Sequence, residues 1–585
     1  MPEYLAPGVY VEETSFRAKS IEGVGTSTTA FVGPARKGPY RVDDETPEAP
    51  ELLTSYGDFE RIYGGFADLS LGAGVPGTNY LAHAVRAFFN EGGSRLYVSR
   101  VVGAGAANAL VEVIAGTDEG VRWRARSPGA AGNGQVVVRE MSVPATEVSL
   151  NNAPPGSLVR AGGSLLVRVG TGWRPADNPA GAEVPPATVL AGTPQQITLS
   201  VLTLDGDGNG LSHDGLGLHS SHPRWIGHAL AAAPTRRSDH LQNLFAIEVG
   251  GAVSASELHA GLFNGGANNA AGQMERTWTL AGGLDGGQPT PTDYALALAE
   301  IASLEDVSIV AAPGSSAYGV GAGNEDNPQA IASALIAHAE GRRAYRIAVL
   351  DTPPELLPTT ARGYRGLFDS KYAAMYFPWV VVSNPLARPG RDDIAKEIAL
   401  PPSGFISGIY ARNDVQRGVH KAPANEVVRG ALRFEIDVNF AQQELLNPAG
   451  VNCLRFFSGR GYRVWGARLI SSDPEWKYVS DRRYFNYLEA SIDRSTQWAV
   501  FEPNGERLWA NIRQTIADYL YNEWRSGALL GSSPEEAFFV RCDRSTMTQN
   551  DLDNGRLICL IGVAILKPAE FVIFRIGQKT ADARE

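Results

Sequence analysis

The sequence predicts an α/β (α+β) core of mixed, partly parallel sheets, built from both ends of the chain and interrupted by an inserted β-rich domain. Three observations carry this reading. Patterns in which a helix precedes a strand occur before about residue 102 and again after about residue 290. Between residues 103 and 275 the composition shifts to Gly, Ala, Pro, Thr and Asn, with short alternating strands. The chain also begins and ends on strand-forming segments: Val9, Tyr10 and Val11 follow a Pro7-Gly8 turn, and Phe571 to Ile576 are stopped by Gly577.

The elements follow in order. "TTAFVGPA" reads as a strand, "YGDFERIYGG" as a loop, "NYLAHAVRAFFNEGG" as a helix and "RLYVSRVV" as a strand. The helix carries Leu81, Ala84, Val85, Phe88 and Phe89 at three-and-four spacing and is stopped by Gly92-Gly93. Within the β-rich stretch, "QVVVRE", "SLLVRVG" and "QQITLSVLTL" are strands. "PTDYALALAEIASLEDVSIVAAPG", with Thr292 as the expected N-cap, and "QAIASALIAHAEGRRAYRIAVLDTPP" each give helix then strand, and should pack as a mainly parallel sheet. "YAAMYFPWVVVSNP" supplies another strand. "GERLWANIRQTIADYLYNEWRSGAL" is an amphipathic helix with Leu508, Ile512, Ile516, Tyr519 and Leu520 on one stripe. "AFFVRCD", "TQNDLDNGRLICLIGVAIL" and "EFVIFRI" read as strand, short helix, strand, strand, with Leu557 to Leu566 expected to be buried.

Size and composition narrow the class. The chain has 585 residues, enough for two to four domains at ~150 residues each. A charged fraction of 20% and an apolar fraction of 44% are those of a globular protein. The net charge of −11 argues against a nucleic-acid or anionic-membrane binder. Three cysteines, Cys453, Cys542 and Cys559, have no CxxC spacing, so neither a disulfide framework nor a zinc site is indicated, and assembly in a reducing cytoplasm fits. "MPEYLAPG" lacks the basic and apolar regions of a secretory signal. The longest apolar run has about half of the ~20 residues needed to cross a bilayer, so no membrane insertion is expected.

Catalytic and ligand-binding patterns are sparse. No GxxxxGK[ST] loop, HExxH helix or GxSxG elbow occurs. "GVGAGN" at Gly319 matches part of a dinucleotide fingerprint but follows a loop rather than a strand. Asp205, Asp207, Asn209 and Gly210 match the opening of an EF-hand loop, making the first three a calcium candidate. The twelfth position is Leu216, so an Asp/Gly hairpin turn is the competing reading. His213, His219, His222 and His228 lie among Gly and Ser, as expected of a solvated loop. An enzymatic reading, an α/β hydrolase-like fold with a β-rich insertion, would rest on His338 or His420. No catalytic residue and no cofactor is assigned.

Longer motifs are more specific. "PPSGFISGIYARNDVQRGVHKAPANE" from Pro401, the stretch from "GVNCLRFFSGRGYRVWG" to "STQWAVFEPN", the early "YLAPGVYVEE" and "TAFVGPARKGP", "SPGAAGNGQ", and the terminal "KPAEFVIFRIGQ" stand in one order. In that order the chain closely resembles the sheath proteins of contractile injection machines: phage tails, tailocins and related extracellular injection systems. The resemblance covers both ends and residues 290–585, and little of the insertion beyond its opening.

The resemblance implies a non-enzymatic structural subunit, assembled in the bacterial or host cytoplasm, that polymerises helically around an inner tube and contracts to drive it through a target envelope. Implied partners are further copies of the chain, the tube protein, and baseplate and tail terminator proteins, without nucleic acid. It divides the chain into an N-terminal arm (1–24), a first core part (25–102), the insertion (103–275), an α/β core (276–500), a tube-proximal domain (501–569) and a C-terminal arm (570–585). Each arm would complete a sheet in a neighbour through Val9, Tyr10, Val11, Phe571, Val572, Ile573, Phe574 and Ile576. The residues agree, since a donated strand gives a heterologous contact, and such contacts build filaments when they do not close into a ring. Asp551 and Asp553 are the candidate tube contacts, and Arg412 and Asp414 a candidate ion pair. A non-contractile tube or shell protein using the same exchange is the remaining alternative.

Overall fold

The computed structural model describes residues 20–41, 50–75, 77–116 and 120–575. It divides into two compact units. The larger comprises Ser27–Arg412 and Pro423–Lys477. The smaller comprises, within the described residues, 20–26, Asn413–Ala422 and 478–575.

The larger unit is organised by an eight-stranded sheet in the order Glu51–Leu53, Leu96–Val101, Thr29–Pro34, Ile309–Ala311, Ile347–Asp351, Ala373–Phe377, Val451–Phe457, Gly461–Val464. The six inner strands are parallel, and antiparallel neighbours close both edges. Thr29 pairs with Ile309, so segments far apart in sequence meet at the centre. Thr29–Pro34, Ile347–Asp351 and Ala373–Phe377 are buried throughout, as parallel strands covered on both faces must be.

The helices follow their local chemistry. Tyr80–Glu91 is capped by Asn79 and ends at Gly92, whose φ of 110° suits glycine. Pro291–Ala302 is capped by Thr290 rather than by the expected Thr292. Pro291 takes the first helical position and Asp293 closes a capping box on Thr290. "YGDFERIYGG" is a helix, Tyr56–Tyr63, not a loop. Ser55 accepts from the Asp58 amide, and Phe59, Ile62 and Tyr63 form a buried stripe that the flanking glycines obscured. "YAAMYFPWVVVSNP" is two strands in different sheets: Pro378 divides Ala373–Phe377 from Val380–Ser383, which pairs with Glu397–Leu400 and Ala431–Phe434.

Residues 107–284 are β-rich. An antiparallel sheet is built on Gln135–Pro144 and Gln195–Leu204, and a three-stranded sheet is formed by Leu110–Ile114, Val121–Ala125 and Phe245–Val249. Fully buried Trp123 lies in the core they share. The region extends past residue 275: Met274–Thr279 is one of its strands, and Ala281 and Leu284 bridge back to Leu110 and Ala107. Of the four histidines, His219 lies half-buried in a bend and His228 is exposed on a short helix, but the other two depart from a solvated loop. His213 lies in the strand Gly210–Leu216 and His222 is buried, its Nδ1 accepting from the Arg224 amide.

One helix contact in the larger unit is unusually close. Along Ser403–Arg417, Gly404 and Gly408 face Tyr80–Glu91; a Cβ on Gly404 would stand 2.7 Å from Ala84 Cα, and one on Gly408 2.5 Å from the Phe88 carbonyl. A turn further on, buried Arg412 pairs with buried Glu91.

Candidate assembly surface

The smaller unit begins with a chain segment laid on a helix. Residues 20–26 run beside Val479–Ser495, the Glu22 amide donating to Ser495 Oγ at 3.3 Å and the Val24 amide to Ser491 Oγ at 3.1 Å. Gly23 lies so close to Tyr487 that a Cβ would be 2.3 Å from its hydroxyl. Thr26 Oγ1 donates to Asp414 Oδ2 at 2.6 Å, and the Arg483 guanidinium holds the same carboxylate. The expected Arg412–Asp414 pair, offered within or between subunits, therefore does not form within the chain. Two residues apart on a helix, their side chains diverge, and Arg412 is spent on Glu91.

The helix Glu506–Arg525 presents the predicted stripe: Leu508, Ile512, Ile516, Tyr519 and Leu520 are all buried. The smaller unit's apolar cluster also takes Tyr484, Leu488 and Leu529. Its C-terminal stretch thus starts near Tyr478, upstream of the expected boundary at 501, because Val479–Ser495 packs with Glu506–Arg525.

Beyond this core the apolar residues are left uncovered. Phe538–Arg541 and Leu560–Val563 form a two-stranded antiparallel sheet in which Phe539, Leu560 and Ile561 are exposed. The expected buried strand in "LICLIGVAIL" is thus half exposed, because this sheet has too few members to cover it. A lone two-stranded sheet is marginal in water and gains from further strands.

The chain's exit is anchored before it is freed. Tyr478 Oη donates to Glu570 Oε2 at 3.0 Å. Burial pushes the Asp481 carboxyl up to about 6, against the opposing pull of Lys567. The next residues, Phe571, Val572, Ile573 and Phe574, form no strand with any of the described residues and stand 69–82% exposed. Val9, Tyr10, Val11 and Ile576 lie outside the described residues.

The other candidates have local partners. Asp551 closes a capping box with Thr548 on the short helix Gln549–Asp553, and this hydrogen bonding holds its carboxyl below the usual range. Asp553 accepts from Gln549 Nε2 at 2.8 Å. Asp205 meets Lys37 Nζ at 2.8 Å and also accepts from Asn209, while Asp207 meets Arg36 at 2.6 Å. These carboxylates lie in a tight turn, bonded to cations. Among the described residues no group of three or more His, Cys, Asp or Glu side chains is placed to hold a metal.

The histidines of the enzymatic reading lack acid–base partners in the described structure. His338 Nε2 faces Arg346 Nη1 at 2.5 Å, and burial, then that cation, push its pKa down to about 4. His420 packs edge-on against Tyr484. A cavity of about 190 Å³, lined by Lys37, Tyr40, Arg126 and His240 among others, includes neither.

Comparison with known proteins places these features in a family. The description "Phage tail sheath protein central domain" matches residues 287–468 and "Phage tail sheath C-terminal domain" matches residues 471–579. A putative prophage major tail sheath protein of Pseudomonas aeruginosa (strain UCBPP-PA14) is 27% identical over 274 residues, 46% of this chain and 64% of that protein. The tail sheath protein of Enterobacteria phage T4 is 24% identical over 163 residues, 27% of this chain and 24% of its own. The chain thus spans less than two thirds of either relative. In fold, the anti-feeding prophage helical sheath in its contracted state matches with a TM-score of 0.54 at 21% identity, over 98% of this chain and 100% of that one. The sheath complex of an extracellular contractile injection system, PVC, also contracted, matches with 0.52 at 21% identity, over 99% of each chain. Its fold is thus that of solved sheaths nearly end to end, and, with residues 287–468 and 471–579 matched by the two sheath-protein domains, the chain belongs to the contractile tail sheath protein family.

Proposed function

We propose that the chain is the repeating subunit of a contractile sheath. It polymerises helically around an inner tube and, when triggered, repacks into a shorter and wider lattice that drives the tube through a target envelope. The observation that carries this is the pairing of two incomplete features in the smaller unit: a two-stranded sheet with exposed apolar residues and the unpaired apolar segment Phe571–Phe574. Each supplies what the other lacks, and the partner is a second copy. A donated five-residue strand makes four or five main-chain hydrogen bonds at a net ~1 kcal/mol each and buries two or three apolar side chains at about 1.5–3 kcal/mol each. The N-terminal strand Val9–Val11 and Ile576 belong to the same exchange. Work comes from the difference in interface free energy between two lattices, with a kinetic barrier holding the extended one. The helix Gln549–Asp553 turns Asp553 and Asp551 toward a basic tube surface, and the particle's baseplate and terminator proteins hold the ends of the array.

Negative-stain microscopy of the purified chain tests this. Hollow helical tubes are expected from the full chain, and folded, unassembled subunits from variants lacking residues 1–20 or 570–585. Filaments of one fixed diameter both with and without a tube would favour a static shell. Unchanged tubes from both truncations would sink the exchange of strands.

A further inference from the structure

We infer that Cys542 and Cys559 are a built cross-strand pair that closes to a reversible disulfide, stapling the hairpin that carries the helix Gln549–Asp553. The strands Phe538–Arg541 and Leu560–Val563 pair with Arg541 opposite Leu560, so the next residues outward, Cys542 and Cys559, stand opposite each other. The hydrogen-bonding phase of the ladder decides whether such a pair can be bridged. The Ala564 amide donates to the Ala537 carbonyl at 2.8 Å, which makes that pair a hydrogen-bonded position. Alternating outward from it, 539/562 and 541/560 are hydrogen-bonded positions, and 542/559 is a non-hydrogen-bonded one. At such positions Cα atoms approach to about 4.5 Å and side chains lean together, at the short end of the roughly 4.4–6.8 Å that a disulfide spans.

The electrostatics agree: the two thiols are near enough to perturb each other's ionisation. Both are free thiols, Cys542 buried and Cys559 half-buried, so Cys559 is the side an oxidant reaches first. Burial raises both thiols, Cys559 to about 12, so thiolate is scarce at neutral pH and closure is slow. At present residues 543–558 are tied across the hairpin by Thr546 Oγ1, which donates to the Ile558 carbonyl. A staple at its base fixes the loop that presents Asp551 and Asp553.

The reaction needs a small disulfide as oxidant, such as glutathione disulfide. The Cys559 thiolate attacks one of its sulfurs, forming a mixed disulfide and releasing one glutathione. The Cys542 thiolate then attacks Cys559 sulfur and releases the second. Two protein thiols are oxidised, one glutathione disulfide is reduced to two thiols, and the two protons lost by the protein end on them. The bond rests on the hairpin geometry alone. Its timing, thiols during assembly in a reducing interior and a disulfide once the particle is outside, rests on the proposed function.

The test is incubation of the native full-length chain with glutathione disulfide at pH 8.5–9, conditions chosen to raise the thiolate fraction. Thiol titration and intact mass then read the outcome. The expected result is a fall from three free thiols to one, with a peptide link between Cys542 and Cys559 and no bound glutathione. The remaining thiol is Cys453, fully buried in the strand Val451–Phe457. C542S should stop at the mixed disulfide on Cys559, and C559S should keep both its thiols. Three thiols persisting in the native chain, a stable glutathione adduct on Cys559 beside a free Cys542, or disulfide-linked dimers would each overturn the inference. None of these depends on whether the chain forms contractile tubes.

Discussion

Asp414 and Arg483 form a two-pronged ion pair with both side chains 3% exposed, Nη1 reaching Oδ1 at 2.8 Å and Nη2 reaching Oδ2 at 2.5 Å. Thr26 is drawn into the same knot, donating through its hydroxyl to Asp414 and accepting from Arg483 through its carbonyl. The pair ties three distant stretches of the smaller unit together. Removing one member strands a buried charge, so Arg483→Ala or Asp414→Ala should cost about 3–5 kcal/mol. Replacing both by apolar residues of similar volume should restore most of that. Urea unfolding monitored by tryptophan fluorescence checks both outcomes, and additive losses in the double variant would show that the ion pair is not the unit that matters.

Gly404 and Gly408 give a prediction whose sign is diagnostic. Alanine normally favours a helix over glycine by roughly 0.8–1 kcal/mol. Here the added carbon meets backbone of Tyr80–Glu91 at 2.7 and 2.5 Å, so Gly404→Ala and Gly408→Ala should destabilise by about 1–3 kcal/mol. Gly363, in the helix Pro358–Arg365, has nothing within 4 Å, and Gly363→Ala should stabilise. Melting temperatures of the three variants moving in one direction would contradict the close contact.

Asp351 sets a dependence on pH. Burial pushes its carboxyl up to about 7, although the amide and hydroxyl of Ser403 and the amide of Gly314 all pull it down. A carboxyl raised in the folded state binds more protons there than in the unfolded chain. Stability is therefore greatest below the ordinary carboxylate range and falls as pH rises from about 4 to about 7, by up to a few kcal/mol at ~1.4 kcal/mol per pH unit. Asp351→Asn keeps the shape and can donate to Ser403 Oγ while accepting from its amide. The urea midpoint should then fall less between pH 5 and pH 8 than in the parent chain, and equal slopes would locate the pH dependence elsewhere, Glu91 being the next buried carboxyl to test.

The sequence was most legible where one element carried its own signal. The stripe of Glu506–Arg525 and the stop at Gly92 needed no tertiary information. The caps were less so: Thr290 and Thr292 stand two residues apart at the helix start, and only Pro291 at the first helical position and Asp293 at the third single out Thr290. Tyr56–Tyr63 was obscured because glycines at 57, 64 and 65 read as loop chemistry although Ser55 supplies a cap. Pairings between distant segments had no local trace. Nothing near Asp414 points to Arg483, and nothing near Asp205 points to Lys37. Of the assembly surface, the apolar run Phe571–Phe574 was visible in the sequence, whereas its exposure and its lack of a strand partner among the described residues became evident only from the fold.

That lack sets a condition on how the subunit is handled before it is used. Four consecutive large apolar side chains standing in water make the solitary chain prone to stick to any open strand it meets, correct or not. On the proposed exchange of strands, growth at a particle's end and off-pathway clumping compete for the same molecule. The pool of unincorporated copies is kept useful only while nucleation sites outnumber chance encounters between free chains.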